Sequence, residues 1–347
     1  MKAVLITEPH VVEVRDVPMP TRNEYECLVQ VKACGICSST DLKLIHRDHP
    51  TSPENPFRYP AILGHEAVGE IVELGSKVRN FKLGDRVMVP FSNMGHMPEE
   101  YQVRFGAMTE YSVAPDFIAM QQDHFPNDYA ARYEDPADFF CQTFPKDISY
   151  IDGAMILSFK ETYSAVRNFD ITDGMDVLIF GDGSVGMGIA HFVNAHSVNS
   201  NIVVGHHDDR LEKVTRVARP TMTINAKKGE MAQIEGRKFD VVVDAVGSTE
   251  VIRRGLKLLK PGGLLAAVGV LPNQSSIDLY DIPNYTRLMM LSYPYKEHRT
   301  HAEVIEFMRS GFVCAEDYYS HVMPMEDVAE AVRMLERREA FKVILTM

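Results

Sequence analysis

Residues 175–197, MDVLIFGDGSVGMGIAHFVNAHS, combine an apolar run, a glycine-rich turn and an apolar helical pattern. The run 175–181 is typical of a buried strand, and residues 183–197 are typical of a helix. Between them lies Gly181-Asp182-Gly183-Ser184-Val185-Gly186. A GxGxxG motif that ends a strand and opens a helix indicates a dinucleotide-binding turn, with an ordinary glycine-rich turn as the alternative.

Each glycine of this motif has a physical reason. Gly181 permits the tight turn, Gly183 lets the backbone approach a pyrophosphate, and Gly186 lets the helix pack against the strand. The N-terminus of the helix offers amide donors to the phosphates. We therefore predict a cofactor-binding loop formed by Gly181, Gly183, Ser184, Val185 and Gly186.

Apolar strands and helical patterns continue to alternate after this motif. A strand is predicted at 201–205, a helix at 210–218, and buried strands at 238–247, 262–270 and 287–293. This alternation is typical of a doubly wound parallel sheet, the Rossmann arrangement. Two further candidate cofactor contacts, Val246 and Gly269, lie at the ends of predicted strands.

The strand at 201–205 ends on Gly205, where a carboxylate is expected to bind the adenosine ribose. Without that carboxylate a 2′-phosphate has room, and the candidates to contact it are His206, His207 and Arg210. We therefore expect a modest preference for NADP over NAD. The alternative is that Asp208 or Asp209 reaches back and that the cofactor is NAD.

The first hundred residues follow a different pattern. Alternating stretches at 11–17, 27–37 and 67–75, and a short strand at 84–89 after a Gly-Asp turn, predict a small β-barrel or sandwich. Residues 120–147 fit neither pattern and are interpreted as a surface insertion or a lid. At the C-terminal end, a helix at 328–339 and a strand at 341–347 are predicted to return to the first domain. The predicted domains are 1–155 together with 294–347, and 156–293.

The β-rich half contains a cluster of possible metal ligands. Cys34-Gly-Ile-Cys37 is followed by Asp41, and His65 of Gly64-His65-Glu66 lies 24 residues after Asp41. A thiolate, an imidazole and a carboxylate suit a catalytic zinc, and Cys37, His65 and Glu66 are the candidate ligands. A redox-active CxxC pair is the alternative, but it would need a thioredoxin-like βαβ setting.

The motifs ACGIC (33–37), GHEAVGEIVELGSKV (64–78) and GDRVMV (84–89), with the GxGxxG unit, together resemble the zinc-dependent medium-chain dehydrogenase family. Alcohol, sorbitol and threonine dehydrogenases belong to this family. The resemblance covers essentially the whole chain. It implies a GroES-like catalytic domain around a Rossmann domain, a small-molecule alcohol or carbonyl substrate, and a homodimer or homotetramer.

The resemblance also implies roles for single residues. Cys37 and His65 match two zinc ligands, Glu66 the acid beside the metal, and Lys342 a basic residue near the cofactor phosphates. An extra residue after Cys37 leaves Ser39 or Thr40 as the hydroxyl that relays the substrate proton. The third ligand position holds Leu157, which cannot ligate, and Glu161, Asp41 and Glu66 are the possible substitutes. Residues 90–110 contain no cysteine, so one zinc per subunit is expected.

The leading hypothesis is reversible oxidation of an alcohol, such as a polyol or sugar, with transfer of hydride to NAD(P). A zinc-free quinone or enoyl reductase and a non-enzymatic binding protein of the same fold are the alternatives. The pocket is expected to involve residues 41–57, 91–110 and 270–295. A basic stretch there (Lys43, His46, Arg47 and His49) is interpreted as a solvated loop, although it also suits an anionic substrate.

Composition and charge limit the possible binding partners and the cellular location of the protein. The 347 residues carry a net charge of −12, which disfavours binding to nucleic acids or to an anionic membrane surface. Five cysteines do not form a disulfide framework. Neither a signal peptide nor an apolar run of about 18 residues is present. The sequence therefore indicates a cytoplasmic protein.

Overall fold

The computed structural model describes residues 1–46, 56–91, 95–126, 141–272, 275–291 and 295–347. Internal contacts divide the chain into two compact units. The β-rich unit comprises residues 1–157 and 301–347, and the α/β unit comprises residues 158–300. The division inferred from the sequence placed these boundaries after residues 155 and 293.

The β-rich unit contains ten described strands in two sheets. Its strands are β1 (Lys2–Glu8), β2 (Val11–Asp16), β3 (Glu26–Gly35), β4 (Ala61–Ile62), β5 (Glu66–Glu73), β6 (Arg86–Met88), β7 (Gln102–Val103), β8 (Tyr111–Pro115), β15 (His321–Pro324) and β16 (Val343–Thr346). One sheet has the order β2-β1-β4-β7, and the other has the order β15-β16-β3-β5-β6, with β8 also paired to β3.

Short helices complete this unit. They are α1 (Asp41–Ile45), α2 (Phe117–Gln122), α3 (Tyr150–Gly153), α8 (His301–Arg309) and α9 (Val328–Glu336). The last strand of the chain, β16, pairs antiparallel with β3, so the C-terminal segment completes the sheet that the N-terminal segment begins. One apolar core gathers side chains from β3, β5, β16 and α9.

The α/β unit contains one six-stranded parallel sheet in the order β11-β10-β9-β12-β13-β14. Its strands are β9 (Asp176–Phe180), β10 (Ser200–Gly205), β11 (Met222–Asn225), β12 (Phe239–Asp244), β13 (Leu259–Ala267) and β14 (Arg287–Met290). Its helices are α5 (Ser184–Val193), α6 (Asp208–Val217) and α7 (Thr249–Leu256), and α4 (Ile156–Asn168) starts at the boundary. Short 3-10 turns occur at 226–228, 230–234, 279–281, 297–300, 315–317 and 325–327.

The strand order reverses between β9 and β12. From β9 the chain builds outward through β10 to β11 and then returns to β12 on the other side of β9. Because both faces of such a sheet are covered, its central strands are apolar throughout, and Val177, Leu178 and Ile179 are fully buried. In an open parallel sheet, the crevice at this reversal is the usual ligand site.

The prediction of a buried strand at 287–293 is wrong in one respect. Residues Arg287–Met290 do form a strand, but β14 is the edge of the sheet, and Leu288 and Met290 are 42% and 50% exposed. The apolar composition of a strand does not distinguish a covered edge from an open one.

Among the described residues, no helix combines the length and the apolar character needed to cross a membrane.

Asp116 connects two segments of the β-rich unit. Its buried carboxylate caps α2 by accepting the backbone N–H of Ala119, and it accepts the backbone N–H groups of Arg79 and Asn80 at 2.8 and 2.9 Å. Burial by itself would raise the pKa of Asp116. The hydrogen bonds from Arg79, Asn80 and Ala119 outweigh burial and hold that pKa below its usual range.

We expect Asp116→Ala to lower the free energy of unfolding by about 3 kcal/mol, because it leaves buried N–H donors without an acceptor. Urea unfolding at several pH values measures this. The folded pKa of Asp116 is depressed, so its contribution is present above the unfolded pKa of about 4 and is lost as the pH falls through the folded pKa.

The matched control is Asp123→Ala at the other end of α2. Asp123 pairs with the Arg79 guanidinium at an exposed position, and exposed pairs contribute little. Equal losses of stability in the two variants would contradict the role given to Asp116.

Candidate metal and dinucleotide sites

The register of β3 against β5 brings the predicted metal ligands together. Gly35 pairs with Glu66, so the turn after β3 places Cys37 beside His65 and Glu66 at the start of β5. Cys37, His65 and Glu66 each offer one ligand atom, and these atoms all lie within 4.8 Å of one another. A thiolate, an imidazole and a carboxylate at this spacing form a donor set that fits zinc.

Glu66 is held by a lysine from the opposite end of the sequence. The Lys342 ammonium pairs with the Glu66 carboxylate, and both side chains are buried. Lys342 comes just before β16, and the pairing of β16 with β3 brings it to this point. The resemblance assigned Lys342 to the cofactor phosphates. The structure shows this side chain paired with a candidate metal ligand, and a phosphate role stays a prediction.

Gly35 makes the space for this ion pair. A Cβ atom on Gly35 would lie closer than 3.0 Å to Oε2 of Glu66 and 3.1 Å from the Lys342 side chain. Any larger residue would therefore displace the carboxylate or the ammonium. In the sequence Gly35 is only the residue after the first cysteine of the CxxC motif, because nothing local shows that a distant carboxylate lies against it.

Asp41 lies behind His65. Its Oδ2 accepts the backbone N–H of Cys37 at 2.9 Å, and its Oδ1 is 3.8 Å from Nδ1 of His65. Both of these facing atoms are buried without a hydrogen-bond partner among the described residues. Carboxylates commonly accept the second N–H of a metal-bound imidazole. Asp41 is therefore placed to orient His65 rather than to act as the missing ligand.

The charges around His65 oppose the effect of its burial. Burial by itself would lower the pKa of His65, but the hydrogen bond and charge of Cys37, with the charges of Asp41 and Glu66, raise it to about 10. Burial raises the pKa of Asp41 to about 6. A metal binds only the neutral imidazole, so the raised pKa of His65 means that metal binding competes with a second proton on this ring.

The two candidate relay hydroxyls differ in their surroundings. Ser39 is exposed, and its Oγ lies 3.1 Å from Sγ of Cys37. Thr40 precedes α1 and makes no side-chain capping bond to it. Only the Ser39 hydroxyl therefore has a described contact with the metal cluster.

Cys34, the other cysteine of the CxxC motif, does not join the cluster. Its side chain is fully buried in the apolar core, and its Sγ donates to the carbonyl of Gly35 at 3.5 Å. Burial raises the pKa of the Cys34 thiol well above its usual value. Leu157 is likewise buried, and among the described residues neither Asp41 nor Glu161 joins the ligand cluster.

An aromatic pair flanks the cluster. The ring of Phe105 lies 4.8 Å from the ring of His65, and Phe91 packs 5.6 Å from Phe105. Phe105 has a φ of 70°, a left-handed conformation that costs a non-glycine residue energy. The pair lies within the predicted pocket stretch 91–110, but the sequence did not single out either ring. Arg47 and His49 of the predicted basic stretch lie outside the described residues.

In the α/β unit the glycine motif forms the turn from β9 to α5. Gly181 has a φ of 130°, and a Cβ on Gly186 would collide with the carbonyl of Gly181. Gly183 precedes Ser184, the first residue of α5, and a Cβ there would meet no atom within 4 Å. The backbone at Gly183 is thus open to a ligand, which fits a pyrophosphate on the helix N-terminus.

Neighbouring strand ends complete this edge of the sheet. The Asp244 carboxylate, at the end of β12, accepts the backbone N–H groups of Val246 and Gly247 at 2.9 and 3.0 Å. Val246 is 53% exposed. Gly269, after β13, lies against Gly247 so closely that a Cβ would collide. Both predicted contacts, Val246 and Gly269, therefore lie after the carboxyl ends of central strands.

The end of β10 was predicted to lack a carboxylate, and the structure places one there. The space above Gly205 is filled by the carboxylate of Asp182, the second residue of the glycine motif. Its Oδ2 accepts the backbone N–H groups of His206 and His207 at 2.8 and 2.9 Å. The premise that no carboxylate stands at this tip is therefore wrong. His206 is exposed and His207 is half-buried.

A zinc-type donor set on a β-rich unit and a dinucleotide turn on a parallel α/β unit define a class, the zinc-dependent nicotinamide oxidoreductases. Comparison with known proteins agrees with this class. Residues 23–122 match the alcohol dehydrogenase GroES-like domain, and residues 183–310 match the zinc-binding dehydrogenase domain.

Full-length relatives extend the match. Sorbitol dehydrogenase of Bacillus subtilis is 28% identical over 99% of this chain and 97% of its own length. An alcohol dehydrogenase of Escherichia coli CFT073, solved with NADH, has a TM-score of 0.79 at 22% identity, over 100% of this chain and 99% of its own. A zinc-binding dehydrogenase of Sinorhizobium meliloti, solved with NADP, has a TM-score of 0.77 at 21% identity, over the same shares. The chain belongs to the zinc-dependent medium-chain dehydrogenase family and transfers hydride between an alcohol and NAD(P).

We expect Gly35→Ala to weaken zinc retention by displacing Glu66 or Lys342. Zinc per chain, measured by elemental analysis after dialysis against a chelator, checks this. Gly183→Ala is the matched control, since it adds the same methyl group at an open position of the other unit. It should weaken dinucleotide binding and leave zinc unchanged. Full zinc retention by Gly35→Ala would show that Glu66 is not needed as a ligand.

Proposed function

We propose that the chain oxidises a polyol or another secondary alcohol at a site formed by Cys37, His65 and Glu66. The observation that carries this proposal is the convergence of these three ligand atoms within 4.8 Å. Its substrate class is supported by the similarity to a sorbitol dehydrogenase over almost the whole chain. One zinc per chain is part of the proposal.

The residues of the site have separate roles. Cys37, His65 and Glu66 would hold the metal, which would act as a Lewis acid and lower the pKa of an alcohol hydroxyl. Asp41 orients His65, and Lys342 pairs with the Glu66 carboxylate and holds it in place. The hydroxyl of Ser39 accepts the proton of the alcohol and passes it towards solvent. Phe91 and Phe105 give the site an apolar wall beside His65.

The proposed zinc site includes Cys37 but not Cys34, which lies three residues earlier. We expect one zinc per chain in the wild type and in Cys34→Ala, and none in Cys37→Ala, because only Cys37 reaches the cluster. Elemental analysis measures the metal, and an oxidation screen over polyols and simple alcohols with both dinucleotides measures the activity. Two zincs per chain, or full activity without zinc, would contradict the proposal.

A zinc-free quinone or enoyl reductase is the alternative function. Such an enzyme has no need for a thiolate, an imidazole and a carboxylate at one point. The converging donors and the match to a zinc-binding dehydrogenase domain therefore disfavour it. The same screen distinguishes the two functions if it includes a quinone and an enone as substrates with NADPH.

The relay role is assigned to Ser39 because its hydroxyl contacts Cys37. We expect Ser39→Ala to lower kcat by about 10²-fold or more, as for the loss of other acid–base groups, with little change in cofactor affinity. Steady-state kinetics and a direct binding measurement check these two effects. Thr40→Val is the matched control. If Ser39→Ala left kcat unchanged and Thr40→Val lowered it strongly, the relay hydroxyl would be that of Thr40 and not that of Ser39.

We also propose that the chain forms a homodimer through β14. This strand pairs with β13 on one side, and no described strand pairs with its other side. An open edge with apolar side chains is a template for pairing with a second copy. Large exposed apolar side chains concentrate on and near this strand: Leu279, Tyr280, Tyr285, Leu288 and Met290. A homotetramer would need a further interface.

The dimer proposal predicts that Leu288→Lys with Met290→Lys yields a monomer, because the charges oppose burial of the edge. Light scattering after size exclusion measures the mass. Val322→Lys is the matched control, since Val322 is 46% exposed on β15, the edge strand of a sheet in the β-rich unit. A wild-type monomer, or dissociation by Val322→Lys, would refute the β14 interface.

A cytoplasmic location is a further part of the proposal. It is supported by the five cysteines, all of which are free thiols in the structure. Disulfide-free cysteines are typical of proteins in reducing compartments.

A further inference from the structure

We infer that Asp182, within the glycine motif, is the residue that makes this enzyme prefer NAD to NADP. This inference rests on the proposed function as an NAD(P)-dependent dehydrogenase. In most dinucleotide-binding units of this type, an acid at the end of the second strand binds the ribose hydroxyls. Here the second strand of the unit, β10, ends on Gly205, and the carboxylate comes from the turn after β9.

The position of Asp182 follows from the missing side chain at Gly205. A Cβ on Gly205 would lie 2.6 Å from both Cβ and Oδ2 of Asp182. The Asp182 carboxylate therefore occupies the space that an aspartate on β10 would use for its own side chain. Gly205, at the end of β10, leaves space for a side chain, and Asp182 of the glycine motif places its carboxylate in that space.

The backbone at the tip fixes this carboxylate. Its Oδ2 accepts the N–H groups of His206 and His207 and lies 3.0 Å from Nδ1 of His207. In the described part of the chain, no hydrogen bond to Oδ1 is found, so that oxygen is left for a ligand. Asp182 is 8% exposed, and its orientation is set by three contacts rather than by solvent.

The charge of Asp182 persists at neutral pH. Burial by itself would raise its pKa, but the hydrogen bonds from His206 and His207 hold that pKa below its usual range. An ionised carboxylate accepts hydrogen bonds from the 2′- and 3′-hydroxyls of a ribose. It repels a 2′-phosphate, which carries about two negative charges.

The other acids near this tip are less suited to the role. Asp208 accepts the side-chain amide of Asn225 and pairs with Lys228, each within 3 Å. Asp209 lies in the first turn of α6 and is exposed. The expected preference for NADP assumed an empty tip with His206, His207 and Arg210 free for a phosphate. The contact of His207 with Asp182 opposes that assumption.

The test is the ratio of the dissociation constants for NADPH and NADH, measured by calorimetry on the zinc-loaded full chain. We expect the wild type to bind NADH at least tenfold more tightly. Asp182→Asn, which keeps an acceptor oxygen but removes the charge, should lower this ratio at least tenfold, mainly by strengthening the binding of NADPH. Asp209→Asn, the matched control, removes a neighbouring charge and should leave the ratio unchanged.

A second pair of variants transfers the carboxylate from position 182 to position 205. Gly205→Asp alone should weaken the binding of both dinucleotides, because its Cβ would collide with Asp182. Asp182→Gly combined with Gly205→Asp restores a carboxylate at the tip from the strand side, and the preference for NADH should return. This pair keeps the inference testable even if Asp182→Asn folds poorly.

Three results would overturn the inference: a wild type that prefers NADPH, an Asp182→Asn variant with an unchanged ratio, or a double variant that prefers NADPH. If Asp182 only supported the turn, its substitution would weaken both dinucleotides equally and leave the ratio unchanged. A wild type that binds neither dinucleotide would instead refute the proposed function itself.

Discussion

The pairing of β3 with β5 is the constraint on which the candidate metal site depends. Because Gly35 pairs with Glu66, the residues just beyond that pair, Cys37 and His65, meet at one end of the ladder. A slip of one residue would turn every side chain of one strand to the opposite face and separate the donors. Register is fixed here by apolar side chains such as Val31 on β3 and Ile71 on β5, which share one core.

The same site concentrates charge in a buried environment. Glu66 and Asp41 are almost fully buried, and each is compensated by a neighbour: Lys342 faces Glu66, and His65 faces Asp41. A buried ion pair contributes little net stability, because desolvation offsets the attraction of the charges. A cluster of this kind is therefore better explained by function than by folding, since a metal needs anionic donors already held in position.

Glycine has one recurring role in both units, which is to let another group approach. Gly35 admits the Glu66 carboxylate, Gly186 admits the carbonyl of Gly181, and Gly205 admits the Asp182 carboxylate. In each case the approaching group carries charge or partial charge at a site where a ligand would bind. Substitution of these glycines would move a functional group rather than simply strain the backbone.

The sequence by itself determined most of the strand and helix pattern and the glycine turn, and it singled out Cys37, His65 and Glu66 as candidate metal ligands, because these depend on local periodicity and spacing. It did not determine that β14 is an open edge, since apolar composition is the same in either case. Nor did it show Lys342 against Glu66, or Asp182 above Gly205. Those contacts join residues that lie far apart along the chain, and only the pairing of β16 with β3, and of β10 with β9, brings them together.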